Sequence, residues 1–352
     1  MHRLAILACV AVAAAACAPA SPPAAHPPAP PAPRRGEITA EGLRRDLFVF
    51  ASDSFRGRET GTPDAERAAG FLATRLASLG LEPAGDGGSY LQAVPLARRV
   101  VVPMTGGDGR GGPGRAEMRI EHFTAHNVVA VVRGRDPTLR ESYVAYGAHY
   151  DHIGVQPPEA GDSIANGADD DGSGSVSLLA LAEAFATAPE RPRRSILFVW
   201  HVGEEQGLFG SSYFTDHPTV PLDSIVAQLN ADMIGRNAPD SLYIVGPAAA
   251  PNGQSRVLGQ IVDSVNRALP RPFLINREWD SPTHPEQIYY RSDHYNYARR
   301  GVPIVFFTSG LHADYHRVTD EPAKIDYDKL ARVDRLLYEV GRAVADRPTR
   351  PR

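Results

Sequence analysis

Cysteine is almost absent from this chain: Cys9 and Cys17 are the only two, and both lie within the first 17 residues. The remainder cannot form a disulfide, so a folded domain there depends on its hydrophobic core. Lysine is equally scarce, with only Lys324 and Lys329. The formal net charge is −4 and the sequence has no basic stripe, which argues against a nucleic-acid partner.

A long hydrophobic run is also missing. In MHRLAILACVAVAAAAC, Arg3 precedes an apolar run that is too short to span a bilayer, which is typical of a secretory signal over residues 1–17. Cys17 follows a run of alanines and resembles a bacterial lipoprotein processing site, although Ala14 stands where such sites usually carry leucine. The alternative is cleavage after Ala20. Both interpretations predict an exported protein of the periplasm or cell envelope, and the first adds a lipid anchor at Cys17.

Residues 18–36 are rich in proline and alanine, a composition that favours an extended spacer over a packed core. A single folded domain is expected over residues 37–352. Within it, residues 104–115 contain a literal GxGxxG at Gly109, Gly111 and Gly114. The following AEMRIEHF alternates like a strand, so no helix N-terminus is available to bind a phosphate, and we predict a loop there.

From residue 127 onward, short apolar runs alternate with helical patterns. The apolar runs cover 127–132, 143–150, 195–202, 224–235, 241–246 and 302–310. Helical spacing of apolar residues covers 64–79, 175–187, about 253–268 and 328–345. Strands that are apolar on both faces and alternate with helices predict an α/β fold, a single three-layer domain whose mostly parallel mixed sheet has helices on both faces.

Acidic and imidazole side chains follow four of these predicted strands. They are His149, Asp151 and His152, then Glu204 and Glu205, then Asp232, and finally His312 and His316. In open α/β sheets the ligand crevice lies beyond the carboxyl ends of the strands. We therefore expect these side chains to meet at one edge of the sheet.

The stretch NGADDDGSGS, residues 166–175, places three consecutive aspartates before an apolar helix. A calcium loop starting at Asp169 would need an acid at Ala180, so that interpretation fails. The sequence has neither an HExxH helix nor a GxSxG elbow. A mixture of imidazoles and carboxylates without thiolates suits zinc or a similar divalent cation in a catalytic site.

Charge counting indicates two cations. Asp170, Glu205 and Asp232 would carry three negative charges, while His149 and His316 would be neutral ligands. Two divalent cations and one bridging hydroxide bring the sum to zero, as a buried site requires.

The same segments resemble a known family, the zinc-dependent exopeptidases typified by bacterial leucyl aminopeptidases, whose relatives include glutamate carboxypeptidase, the transferrin receptor and glutaminyl cyclase. The resemblance runs from about residue 41 to 340. It covers LFVFASDSFRGRETGTPDAERAAGFLATRLASLGLEPAG, GAHYDHIG, NGADDDGSG, GEEQGLFGS, NADMIGR and YHRVTDEP.

The resemblance implies two zinc ions per chain. His149, Asp170 and Asp232 would hold one, and Asp170, Glu205 and His316 the other, so that Asp170 bridges them. Such a centre would bind a hydroxide between the metals as the nucleophile.

The resemblance also implies catalytic roles for Glu204 and Asp151. Glu204 matches the general base, and Asp151 matches the acid that orients the histidine ligand. Physical reasoning agrees, because residues 149 and 151 point to the same side of a strand, and Glu204 neighbours a ligand while remaining free to reach the water. His152 and His312 are expected to support the centre without ligating it.

A further segment, YYRSDHYNYARRGVP, resembles the substrate side of the family. Ser292, Asp293 and His294 there are candidates for contact with substrate or an oxyanion, and the alternative is a polar loop that caps the next helix.

The expected activity is removal of single N-terminal residues from peptides. A carboxypeptidase-like or cyclase-like activity is the alternative within the family, and Arg291, Arg299 and Arg300 are candidates to bind a terminal carboxylate. A non-catalytic binding protein on this fold is the third reading. Side-chain preference and oligomeric state stay open at the level of sequence.

Overall fold

The computed structural model describes residues 36–103 and 116–351. The predicted signal with Cys17, the linker up to residue 35 and the glycine-rich segment at 104–115 lie outside these residues. Contacts among the described residues form one compact unit. None of its helices combines the length and the apolar character that crossing a bilayer requires.

A mixed nine-stranded sheet runs through the molecule. Its strands are β1 (Glu82–Pro83), β2 (Leu91–Pro103), β3 (Ala116–Val132), β4 (Tyr143–His149), β7 (Ser195–His201), β8 (Ile225–Ala231), β9 (Ser241–Val245), β10 (Leu274–Asn276) and β11 (Ile304–Thr308), while β5 (Val155–Glu159) and β6 (Asp162–Ile164) form a separate ribbon. The order in the large sheet is β1-β3-β7-β4-β8-β11-β9-β10, and β2 pairs with β3. The four neighbouring strands β7, β4, β8 and β11 are parallel to one another.

Seven α-helices flank the sheet within the described residues. They are α1 (Ala40–Phe50), α2 (Pro63–Leu79), α3 (Gly174–Thr187), α4 (Phe209–Asp216), α5 (Arg256–Ala268), α6 (His294–Ala298) and α7 (Tyr327–Ala345). Local chemistry sets their ends. The Thr62 side chain caps α2 by accepting from the Ala65 amide at 3.4 Å, and Gly80, at φ +74°, ends it.

Two hydrophobic cores lie on opposite faces of the sheet. The larger contains the buried faces of α1, α2, α3, α5 and α7, and the smaller contains those of α4 and α6. Successive residues of β3 alternate between them: Val128, Ala130 and Val132 face the larger core, while Val129 and Val131 face the smaller. The predicted three-layer α/β fold is therefore confirmed.

The parallel strands explain where the site lies. Because β4, β7, β8 and β11 run side by side in the same direction, their carboxyl ends open onto a single edge of the sheet. The segments that follow these four strands carry the acidic and imidazole residues singled out in the sequence.

Candidate metal centre

The three consecutive aspartates lie in an irregular turn, Ala168–Ser173, just before α3 and are all buried. Two of them bind the backbone. Asp169 Oδ1 accepts from the Gly235 amide at 2.7 Å, and Asp171 accepts from the His149 amide at 3.1 Å and from two further amides. Asp170 is left with its carboxylate directed at the predicted ligand residues.

The two carboxylate oxygens of Asp170 face two different histidines. Oδ1 lies 3.2 Å from His149 Nε2, and Oδ2 lies 3.2 Å from His316 Nε2. On the first side, Asp232 Oδ1 is 3.6 Å from His149 Nε2. On the second, Glu205 Oε2 is 2.9 Å from His316 Nε2. The structure thus brings all five residues together as two groups that share Asp170.

Two atoms of these five residues are buried without a hydrogen bond of good geometry. His149 Nε2 and Asp170 Oδ2 are both in this condition among the described residues. Leaving a buried polar atom unsatisfied costs about 1–3 kcal/mol, more when the group is charged. Two imidazole nitrogens and three carboxylates converging in this way fit divalent cations of the zinc type.

Two tight clusters of donor atoms occur among the described residues, each with its atoms within 4.8 Å of one another: His149, Asp171 and Asp232, and His152, Asp170 and Glu205. Asp171 is already committed to backbone amides, which favours Asp170 as the ligand. His152 Nδ1 lies 2.7 Å from Glu205 Oε1 but 3.9 Å from Asp170 Oδ2. His316 approaches both carboxylates more closely, so His152 suits hydrogen bonding to Glu205.

Glu204 stands beside the first group and lines the cavity in front of it. Its Oε2 is 3.9 Å from His149 Nε2. Burial raises the pKa of Glu204 well above its usual value, although His149 acts in the opposite direction. A carboxyl group with a raised pKa that faces the cavity beside His149 is suited to exchange protons with a bound molecule.

Asp151 is fully buried and holds two neighbours. Its Oδ2 accepts from the Thr60 hydroxyl at 2.8 Å, and its Oδ1 accepts from the Glu204 amide at 3.3 Å. His149 Nδ1 lies 3.1 Å from the Asp151 main-chain oxygen and 3.9 Å from its carboxylate. The group in hydrogen-bond range of the imidazole is therefore the carbonyl, while the carboxylate holds the Glu204 backbone.

Of the three candidate substrate residues, only Ser292 lines the cavity. Its hydroxyl donates to Asp232 Oδ2 at 2.7 Å. Asp293 is fully buried, with Oδ2 3.3 Å from His201 Nδ1. His294 is fully buried too, and burial lowers its pKa to about 4.

The cavity in front of the five residues has a largely apolar wall. Its apolar members are Met233, Trp279, Ile288, Phe306 and Leu311, and its remaining members include Arg291, Thr308 and Tyr315. Trp279 is stacked on Tyr243 with ring centroids 4.2 Å apart, so Tyr243 supports this part of the wall.

Sequence reasoning missed three residues that support the site. Asp320 Oδ2 accepts from the amides of Asp169 at 2.9 Å and Asp170 at 3.1 Å. Thr60 and Arg58 lie behind the centre, in the segment FRGRETGT. The resemblance of that segment to the family pointed to its importance, but nothing in the sequence indicated that an arginine there would be buried.

Comparison with known proteins identifies the family of this chain and solved structures that share its fold. The sequence profile of Peptidase family M28 matches residues 127–341. Leucine aminopeptidase 1 of Trichophyton rubrum is 30% identical over 244 residues, which are 66% of this chain and 61% of that protein. Leupeptin-inactivating enzyme 1 of Streptomyces exfoliatus is 29% identical over 202 residues, 57% of this chain and 39% of that protein. The match to the fungal relative thus spans about three-fifths of that protein's length.

Solved structures share the fold at low sequence identity. The aminopeptidase from Aneurinibacillus sp. strain AM-1 superposes with a TM-score of 0.66 at 14% identity, covering 90% of this chain and 96% of that one. The zinc aminopeptidase of Bacillus subtilis gives 0.64 at 15% identity, with coverage of 87% and 95%. Glutaminyl cyclase of Bacteroides thetaiotaomicron gives 0.60 at 16% identity, with coverage of 88% and 99%.

Proposed function

Because the chain belongs to Peptidase family M28, we propose that it is a metallo-aminopeptidase that removes single N-terminal residues from peptides at a centre of two zinc ions. The observation that carries this proposal is Asp170, whose oxygens lie 3.2 Å from His149 and 3.2 Å from His316. His149 and Asp232 would complete one metal site, and Glu205 and His316 the other.

The side chains around the centre have distinct tasks in this proposal. When bound, zinc would supply Lewis-acid chemistry, which polarises a carbonyl group and lowers the pKa of water so that a hydroxide nucleophile is available near neutral pH. Glu204 accepts a proton from the attacking water and delivers it to the leaving amine. Asp151 positions Glu204 through its backbone amide, and Ser292 holds Asp232 in place.

The apolar wall of the cavity supports a preference for apolar N-terminal residues. Met233, Trp279, Ile288, Phe306 and Leu311 surround the space next to His149 and Asp232. Burying an aliphatic side chain of substrate against such a wall contributes about 1.5–3 kcal/mol. The names of the relatives, leucine aminopeptidases, agree with this preference.

One observation favours a second candidate, a carboxypeptidase-like activity. Arg291 lines the cavity, where it could bind a terminal carboxylate. Arg299 and Arg300 do not, since both face Asp216 on the surface. Arg291 is itself engaged with the Tyr315 hydroxyl at 3.3 Å, which makes it a weaker argument than the metal centre.

The N-terminal sequence supports the further proposal that the protein is exported to the periplasm or cell envelope. The mature protein would either carry a lipid anchor at Cys17 or begin after cleavage at Ala20. The mass of the mature N-terminal peptide distinguishes these two forms.

Turnover of matched substrates tests the activity. The full chain, loaded with zinc, is offered leucyl p-nitroanilide, an N-acetylated peptide with a free carboxyl end, and a peptide with a free amine and an amidated end. We expect two zinc ions per chain and cleavage of the first and third substrates. Cleavage of the N-acetylated peptide alone would support the carboxypeptidase, and two zinc ions without turnover of any peptide would support a binding protein.

A further inference from the structure

Arg58 is a charged side chain buried directly behind the metal centre. It is 0% exposed, which is rare for arginine unless its donors are satisfied. It belongs to the segment FRGRETGT, residues 55–62. This segment contributes neither a proposed metal ligand nor a residue of the cavity wall.

The guanidinium donates to main-chain carbonyls on separate segments. Nε donates to Tyr150 O at 2.7 Å, Nη1 to Asn166 O at 2.7 Å, and Nη2 to Gly167 O at 2.9 Å. A longer contact, at 3.3 Å, joins Nη1 to Phe50 O. One planar group therefore ties the end of β4 to the turn that carries the aspartates.

These acceptors lie next to residues of the metal centre. Tyr150 directly follows His149, and Gly167 is three residues before Asp170. We propose that Arg58 is a positioning residue of the metal centre, which fixes the separation between His149 and Asp170 by joining the backbones that carry them. This inference rests on the proposed function, because it concerns residues assigned there to the same zinc ion.

The backbone around Arg58 is shaped to direct the side chain inward. Gly57 has φ +70°, and a Cβ there would lie 2.5 Å from Ala165 O and 2.7 Å from Gly154 O. The Gly154 amide donates to Gly57 O at 3.2 Å, and the His152 amide donates to Arg58 O at 3.4 Å. The segment is thus fastened to residues 152–154, which gives a physical reason for glycine between the two arginines.

The charge of Arg58 suits the same role. Burial lowers its pKa to about 10, and the nearby carboxylates of Asp151 and Asp171 raise it, so it stays protonated near neutral pH. It places a fixed positive charge behind a group of carboxylates. Lysine would keep that charge, but its donors all lie on one nitrogen, whereas Arg58 reaches its three acceptors from three separate nitrogens of a rigid plane.

The test compares Arg58→Lys with Arg194→Lys in the full chain. Arg194 is also buried, at 3% exposure, and donates to the carbonyls of Val344 at 3.4 Å and Ala345 at 3.5 Å. It precedes β7, at the opposite end of that strand from the metal centre. It therefore reports the cost of altering a buried arginine without a role at the metal.

We expect Arg58→Lys to weaken zinc binding about 10–100-fold, the usual loss when a group supporting a metal ligand is removed. Zinc per chain is measured after equilibration with a buffered chelator, and melting is measured on the zinc-stripped proteins. Excess zinc should restore much of the lost turnover, and KM should change less than kcat at limiting zinc. Arg194→Lys should lower the melting temperature while leaving zinc affinity unchanged.

Wild-type zinc affinity in Arg58→Lys would overturn the positioning role while leaving the proposed function intact. A wild-type chain that binds no zinc would overturn both. If Arg58→Lys does not fold, Phe50→Leu provides the second variant. The Arg58 guanidinium carbon lies 4.8 Å from the centroid of the Phe50 ring, so this substitution removes the ring contact and leaves the hydrogen bonds of Arg58 in place. That variant should weaken zinc binding about two- to fivefold, and unchanged affinity there would count against the proposal.

Discussion

Asp170 and Asp171 are adjacent in the chain, yet their carboxylates face different partners. Asp170 lies between the imidazoles of His149 and His316. Asp171 accepts hydrogen bonds from backbone amides on three segments, including that of Met233 at 3.3 Å. One carboxylate is placed to contact two histidines, and the next holds the backbone around them.

Asp170→Asn should lose both zinc ions together, because the substitution removes the shared ligand. Asp171→Asn should chiefly lower stability, by about 1–3 kcal/mol, because an amide nitrogen cannot accept the hydrogen bonds that a carboxylate oxygen accepts. Zinc content and melting of the stripped proteins are the two measurements. An Asp170→Asn chain that keeps one tightly bound zinc would contradict the bridging role.

Glu204→Gln should reduce kcat about 10²–10⁴-fold while zinc content stays at the wild-type value, because the variant removes a proton acceptor and leaves the ligands in place. Steady-state kinetics on leucyl p-nitroanilide and metal analysis of the same sample check this. Activity close to wild type would remove Glu204 from the mechanism.

His316→Gln and His152→Gln should differ in metal content. His316 Nε2 is 2.9 Å from Glu205 and 3.2 Å from Asp170, so its loss should release one zinc. His152 contacts Glu205 closely, at 2.7 Å, and its loss should weaken that site about 10–100-fold without abolishing it. The reverse order of zinc affinities would assign the ligand to His152.

Trp279→Ala should raise KM for substrates with a bulky apolar N-terminal residue by about 10-fold or more, since it removes part of the apolar wall. Glycyl p-nitroanilide provides the internal control, because its first residue has no side chain to contact that wall. An equal effect on the glycyl and leucyl substrates would show that Trp279 acts on the centre and not on selectivity.

Asp334→Asn should stabilise the protein more at pH 9 than at pH 5. Asp334 in α7 is 0% exposed, and burial raises its pKa to about 8. The pKa of Asp334 in the folded protein lies above the unfolded value of about 3.9. The protonated side chain therefore contributes its full stabilisation below about pH 4, and this contribution is lost as the pH rises through 8.

The measurement is the melting temperature of zinc-stripped wild type and variant at both pH values. Asp328→Asn, an exposed position on the same helix, is the control. A difference between Asp334→Asn and wild type that does not grow with pH would show that Asp334 is not protonated in the folded state.

Periodicity located much of the fold. Helix α7 was predicted over 328–345 and spans Tyr327–Ala345, because its apolar stripe is regular and long. Helix α4 was missed, since FGSSYFTD is only eight residues long and has no regular apolar stripe. The apolar run at 224–235 was longer than the strand, which ends at Ala231 where the backbone turns to present Asp232.

The site was predictable where the chain delivers polar residues at strand ends, as with His149 and Asp232. The supporting contacts were not, because they join distant positions. Arg58 binds carbonyls of residues 150, 166 and 167, and no pattern near Arg58 encodes those partners. Asp151 was expected to orient His149 through its carboxylate. In the structure His149 Nδ1 lies 3.1 Å from the Asp151 main-chain oxygen and 3.9 Å from its carboxylate. That difference depends on packing, which the sequence does not show.

The five residues assigned to zinc come from segments that become neighbours only when β4, β7, β8 and β11 have paired. An unpaired chain therefore offers no chelating pocket at these positions. A metal that binds there would enter only after the sheet has formed, so the cation taken up would be the one present where the chain folds.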